Sequence, residues 1–286
     1  MNKTTGGWGN GLPGVIIFSG SLPATRVAVS DFTPMFLTSA RAVIAALLGV
    51  ALVIALRQKR PLASDLPSLA IVAVGVVVGF PLLTALALQH ITAAHSIVFI
   101  GLLPLATALF GVLRGRERPR PAFWLFSVTG ALAVAGFAFT QSSDVSLTGD
   151  ALMIAAILLC GLGYAEGAIL SRRLGGWQVI SWALLLSLPI MTVVALITLP
   201  ATWTGISVAA WVSLAYVSIF SMLVGFVFWY RGLARGGIAG VSQLQLLQPF
   251  FGLLLAGLLL GESVPWSMVG VTALVVLCVF GAKRFS

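Results

Sequence analysis

Within a long apolar run, Ser242, Gln245 and Gln248 of "SQLQLLQP" (242–249) place a hydrogen-bonding side chain at every third position. At 100° per residue the three fall within about a 120° arc of one helix face, while Gln243 lies off it. Primary amides both donate and accept, which suits a zwitterion or a polar metabolite without demanding one sign of charge. Such a face is costly against lipid, so it lines either a cavity or a seam with another helix. Phe80, Phe99, Tyr164, Phe226 and Trp229 are candidate stacking walls for an aromatic or cationic ligand, with packing as the alternative role of each. His90 and His95 flank the start of one apolar run. Five residues apart, they face nearly opposite sides of a helix, and neither has the Cys, Asp or Glu neighbour that a metal site needs. His95 is the one placed to hydrogen-bond a substrate.

Charged groups inside apolar runs are few. Glu166 lies about one turn from the end of its run, near Arg172 and Arg173, as a snorkelling carboxylate or a proton-coupling site. Arg26 and Arg41 lie toward the ends of theirs, which makes them vestibule or structural residues, able to snorkel or to pair with Asp31. No HExxH, G-x-S-x-G or Walker loop occurs, and Ser, His and acid never gather at a useful spacing. Nothing therefore points to a catalytic residue, a metal or a cofactor, and the lack of a P-loop argues against ATP as the driving force. Cys160 and Cys278 form no C-x-x-C pair and read as small buried hydrophobes.

The elements that carry these residues follow from composition. The chain has 286 residues, 59% hydrophobic and 8% charged, with a mean hydropathy of +1.10. A helix needs about 20 apolar residues to cross the hydrocarbon core. Ten runs meet that need: 11–29, 35–56, 67–88, 91–113, 121–140, 149–170, 178–199, 207–229, 237–260 and 265–282. Backbone satisfaction in lipid excludes open sheets, so the expected fold is an all-α integral membrane protein of ten transmembrane helices. The first run is taken as a span rather than a removed signal peptide.

A net charge of +9 would suggest nucleic acid in a soluble chain. Here the basic residues sit between spans, so topology explains them, and lipids and a small-molecule substrate are the expected partners. Fourteen Lys and Arg, from Lys3 through the "RGRERPR" loop (114–120) to Arg284, fall on the side of the N-terminus and none on the other. The positive-inside rule then expects both termini in the cytoplasm of a multi-pass inner-membrane protein.

Pro23, Pro81, Pro104, Pro189 and Pro249 fall near span middles, as do Gly161 and Gly163. An internal Pro frees a carbonyl, which is tolerated where protein or a wet cavity supplies a partner. A central cavity is expected, with Pro23, Pro104 and Pro249 as its hinges.

"GLLPLATALFGVLRGRERP" (101–119) matches "LLQPFFGLLLAGLLLGESV" (246–264), with Pro104 on Pro249 and Glu117 on Glu262 at an offset of 145. "SVTGALAV" (127–134) then meets "SMVGVTAL" (267–274). Two five-span repeats are expected, 1–143 and 144–286, the second inverted because five is odd.

These tandem halves, the two Pro-to-Glu segments, Arg41 in the second run and the basic loop after the fourth resemble the drug/metabolite transporter superfamily in its ten-helix EamA-type form. The resemblance covers essentially the whole chain and is closest to the bacterial aromatic amino acid exporters. It departs at "FSGSLPATR" (18–26), which lacks a tryptophan common there in the family. It implies export of small organic metabolites, amino acids including aromatic ones, by alternating access around spans one, three, four, six, eight and nine. Gln245, Gln248, His95 and Tyr164 would contact the substrate. A multidrug exporter of the same fold, or a non-transporting membrane scaffold or sensor, is the alternative.

Overall fold

A transmembrane chain must satisfy its backbone internally, and among the described residues all regular structure is helical. The computed structural model describes residues 3–91, 96, 99–140, 146–252, 254 and 266–286. In chain order the helices are α1 (Lys3–Ser19), α2 (Ser21–Ala28), α3 (Pro34–Ala55), α4 (Ala63–Ala87), α5 (Leu103–Leu113) and α6 (Pro121–Thr140). They continue with α7 (Leu147–Ser171), α8 (Gly176–Ile197), α9 (Val208–Gly236), α10 (Ile238–Ser242) and α11 (Trp266–Phe285). Helices α3, α4, α7, α8 and α9 are long and apolar enough to cross a bilayer.

Short polar residues start several of them. Thr33 accepts from Phe36 N at 3.2 Å ahead of α3, and Ser207 accepts from Ala210 N at 3.2 Å ahead of α9. Gly237, at φ +88°, turns α9 into α10 through a backbone conformation that side chains resist.

The burial pattern is that of a chain built for lipid. Leu125, Leu132, Leu277 and Phe280 point outward at 61–68% exposure, while Arg41, Glu166, Gln243, Gln245 and many Ser and Thr lie inside. In hydrocarbon the outward leucines cost nothing, and inward polar groups must find partners or enclose something polar.

Packing pairs early elements with late ones: α1 with α9, α3 with α8, α4 with α7, α5 with α10, and α6 with α11. Helix α1 approaches α9 through glycines. A Cβ on Gly232 would stand 2.7 Å from Gly11 Cα, and one on Gly236 would stand 2.9 Å from Gly7 Cα. Both helices carry the small-x-x-x-small spacing that lets helix backbones touch. Gly163 of α7 meets Gly75 of α4 in the same manner, 3.3 Å from its projected Cβ.

The structure departs from the expected runs in informative places. The first run begins at Lys3 and is broken at Gly20, three residues before Pro23. Pro104 sits in the first turn of α5, where its missing N–H costs no bond, and the chain turns at Gly101 and Leu102 just before it. Pro249 follows a 3₁₀ stretch, Gln243–Leu247, and Pro81 follows a π-helical stretch, Ala73–Gly79, inside α4. A second π stretch, Val217–Val224, lies inside α9. Only Pro189, of the five, lies within an unbroken helix.

Candidate substrate cavity

The irregular backbone converges on one place. The Gly20 break, both π stretches, the turn before α5 and the end of the 3₁₀ stretch border a cleft with about 550 Å³ of void. Its free volume falls to about 40 Å³ once the radius of a water is allowed for. That is room for about three waters, so the cleft is nearly shut in this conformation. Non-helical backbone at membrane depth is tolerated where it lines such a space.

Its apolar wall comprises Phe18, Leu22, Val76, Phe80, Pro81, Ile100, Leu103, Tyr164 and Phe226. Phe18 and Phe226 meet edge to face at 5.1 Å, and Tyr164 meets Phe226 at 5.8 Å. The polar wall comprises Ser21, Thr25, Arg41, Thr84, Ser221 and Gln248. Ser21 Oγ donates to Ser221 Oγ at 2.7 Å, and Arg41 Nη2 reaches the same Ser221 Oγ at 3.4 Å. Gln248 Nε2 donates to Phe18 O at 3.3 Å, which leaves Oε1 facing no protein donor. Thr84 Oγ1 and Arg41 Nε are likewise buried without a partner. Three unsatisfied polar groups on one small cleft are costly unless something else occupies it.

Of the residues singled out in the sequence as substrate contacts, Phe80, Tyr164, Phe226 and Gln248 line this cleft, and Pro81 and Arg41 join them. Gln245 is fully buried beside Tyr164, with both amide atoms unpartnered. Ser242 donates to Ala239 O at 2.8 Å and to Pro104 O at 3.3 Å, which makes it a tie between α10 and α5. Trp229 is fully buried behind Phe18 and Tyr164, at ring distances of 6.2 and 5.5 Å. Phe99 packs against the core and is outside the lining. His95 and Glu262 lie outside the described residues. Pro23 and Pro249 adjoin lining residues in sequence, and Pro104 follows Leu103.

Sequence reasoning missed Thr84 and the serine pair, and it set Arg41 apart from the cavity. Arg41 was placed at the rim, yet it is 6% exposed and belongs to the cleft. The signal available was that α3 carries no acid at all to pair with it. Asp31 and its expected partners bond elsewhere: Asp31 accepts from Ser207 N and Oγ at 2.8 and 2.6 Å, Arg26 Nη1 donates to Leu88 O at 2.5 Å, and Arg41 turns to Ser221.

At the end of the molecule where the basic loops gather, three ion pairs join the first part of the chain to the second. Arg114 pairs with Glu166, Arg172 with Glu117 at 2.9 Å, and Arg173 with Asp65. Glu166 thus answers to Arg114 rather than to Arg172 or Arg173. Glu117 also accepts from Ile238 N and Ala239 N, both at 2.8 Å, capping α10 from a distant loop. Among the described residues no three His, Cys, Asp or Glu gather as a metal site.

A helical chain whose apolar surface faces outward around a small cleft of unsatisfied polar groups has the build of a multi-pass membrane carrier. The chain belongs to the EamA-like transporter family, whose model matches residues 10–139 and again 147–282. It is 66% identical over 286 residues, all of both chains, to the uncharacterized transporter YdeK of Bacillus subtilis (strain 168). It is 27% identical over 260 residues, 88% of this chain and 84% of the relative, to a probable terminal-alkyne amino-acid exporter of Streptantibioticus cattleyicolor. A protein of known crystal structure shares the fold at a TM-score of 0.78 and 18% identity, over 98% of this chain and 99% of that one.

Proposed function

We propose that this transporter exports small organic metabolites, foremost amino acids including aromatic ones, by alternating access and without a catalytic step. The cleft's lining carries this reading: aromatic walls from Phe18, Phe80, Tyr164 and Phe226 share the cleft with Gln248 Oε1, Thr84 Oγ1 and Arg41 Nε, atoms that lack protein partners. That combination suits a molecule with an aromatic or aliphatic body and a polar head. The relative named as a probable terminal-alkyne amino-acid exporter supports the choice of amino acids. In this reading Gln248 and Tyr164 contact the substrate from the cleft wall, Gln245 comes within reach as the cleft opens, His95 joins them, and Glu166 couples transport by exchanging Arg114 for a proton.

The architecture in this proposal is ten spans in two inverted five-span halves, 1–143 and 144–286. Three observations support it. The family model matches twice. The π stretches at Ala73–Gly79 and Val217–Val224 are offset by 144 to 145 residues, as Pro104 is from Pro249. Swapping the halves also exchanges the α1–α9 contact with the α4–α7 contact and returns the α3–α8 and α6–α11 pairings to themselves. The basic end is then cytoplasmic, with both termini there and the chain in the inner membrane.

Flux of labelled L-phenylalanine, L-leucine and L-threonine in proteoliposomes tests the function. Flux of at least one, saturable and lost on heat denaturation, is expected. No flux of any amino acid from protein shown to be folded would refute it. Movement of cationic dyes instead would favour the drug-export alternative.

A further inference from the structure

Among the described residues Arg41 is the one charged side chain lining the cleft, and its burial demands explanation. It lies seven residues into α3, about 10 Å from the helix start at 1.5 Å per residue. Its side chain is 6% exposed. Its protein contact is the long 3.4 Å approach to Ser221 Oγ, and Nε has no acceptor. Among the described residues no carboxylate pairs with it, and the cleft lining they form contains no Asp or Glu. The other buried charges among the described residues have partners: Glu166 has Arg114 and Asp65 has Arg173. An unpaired cation at this depth is disfavoured by several kcal/mol-scale effects of desolvation unless an anion reaches it. The planar guanidinium fork is the side chain that best matches a carboxylate.

The remaining unsatisfied groups fit the rest of such a ligand. Gln248 Oε1 and Thr84 Oγ1 line the same cleft and can accept from an ammonium, while Phe80 and Phe226 flank its apolar body.

We propose that Arg41 is the carboxylate anchor of the transported molecule, so that the substrate class is carboxylic acids and, with Gln248 and Thr84 accepting its ammonium, α-amino acids. This rests on the export reading in taking the cleft as the substrate's. Its order of preference is definite: an amino acid binds best, its des-amino acid next, and its decarboxylated amine or its amide hardly at all.

Thermal unfolding of the purified transporter, with L-phenylalanine, 3-phenylpropionate, L-phenylalaninamide and 2-phenylethylamine as probes, reads this directly. Both acids are expected to raise the midpoint, and the amide and amine to leave it unchanged. Arg41→Met is expected to weaken L-phenylalanine by about 30-fold or more, the loss typical when one side of a buried charge pair is removed. Without ligand, Arg41→Met is expected to unfold at a higher temperature than the parent, because a buried unpaired cation has been taken away. Arg41→Lys keeps the charge without the fork and is expected to bind the acids with intermediate strength.

An equal response to amide and acid, an acid response that survives in Arg41→Met, or a fall in the ligand-free midpoint of Arg41→Met would overturn the proposal. A response to chloride alone that displaces the acids would make the site one for inorganic anions and overturn it as well. The amino-acid reading fails separately: Arg41-dependent binding of 3-phenylpropionate with no flux of any amino acid would keep the anchor and discard that choice of cargo.

Discussion

Glu117 and Arg172 stand 2.9 Å apart, Oε1 to Nη2, and the same carboxylate caps α10 through Ile238 and Ala239. The two contacts differ in worth. Arg172 is 42% exposed, and surface pairs contribute about 0–1 kcal/mol. A lost helix cap costs about 0.5–2 kcal/mol. Glu117→Ala should therefore lower the unfolding midpoint more than Arg172→Ala, as measured by fluorescence-detected size exclusion after heating. Equal losses would show that the capping contact is idle.

The Arg114–Glu166 pair is lopsided, with Arg114 51% exposed and Glu166 3% exposed. Arg114→Ala strands the carboxylate in a dry site and should cost about 2–3 kcal/mol, below the 3–5 of pairs buried on both sides. Glu166→Gln leaves Arg114 free to reach water and should cost less. Chemical unfolding of the two variants in the same detergent compares them, and the reverse order would refute the account.

Gly232 of α9 has no room for a side chain, since a Cβ there would stand 2.7 Å from both Gly11 Cα and Gly11 N. The obstacle is backbone, which cannot turn aside. Gly232→Val should destabilise by about 1–3 kcal/mol. Gly9→Val, on a position with open space around it, serves as the control in the same thermal assay and should stay near the parent.

Asp31, in the exposed connection after α2, is held below the ordinary aspartate value of 3.8 by the Ser207 hydroxyl and then by the Ser207 N–H. A depressed carboxylate stabilises the fold above its unfolded pKa, and that contribution is lost as pH falls through the folded value. The parent should therefore be slightly more stable than Asp31→Asn at pH 6, with the difference shrinking below about pH 3.8. Midpoints measured from pH 6 to pH 3 give the sign. A difference that grows on acidification would contradict it.

Gln248 and Ser242 lie on the same stretch but do different work. Gln248→Leu removes an unsatisfied cleft acceptor and should reduce flux by about tenfold, the value of one hydrogen bond to a charged group, with little loss of stability. Ser242→Ala breaks the tie to Pro104 O, so its effect should fall on stability with flux per folded molecule preserved. Parallel flux and unfolding measurements separate the two roles.

Much of this was legible in residue order because lipid leaves the backbone few choices. Apolar runs gave helices, and Pro23, Pro81, Pro104 and Pro249 each marked irregular backbone next to the cleft. What failed was angular arithmetic. The chain tightens to 3₁₀ over Gln243–Leu247, where side chains three apart eclipse, so Gln245 and Gln248 line up along the axis and only the latter reaches the cleft. The π stretches in α4 and α9 shift the phase in the opposite sense, which no fixed period anticipates. Arg41 was misplaced for another reason. Its distance along α3 was weighed and Asp31 was offered as a partner, but the Asp31 carboxylate is taken up by Ser207.

The glycine contact between α1 and α9 sets an order of events during biosynthesis. Gly7 is made roughly 230 residues before Gly236, its neighbour in the finished protein. At about 5–20 residues per second, the ribosome takes roughly 10 to 50 seconds to cover that stretch. In the proposed ten-span architecture, the first helix must stay in the bilayer for that interval with its bare glycine face against lipid, waiting for a partner still being translated. Slow elongation or a stalled late segment would leave that helix unclaimed, so membrane quality control should recognise this chain by its beginning rather than by its end.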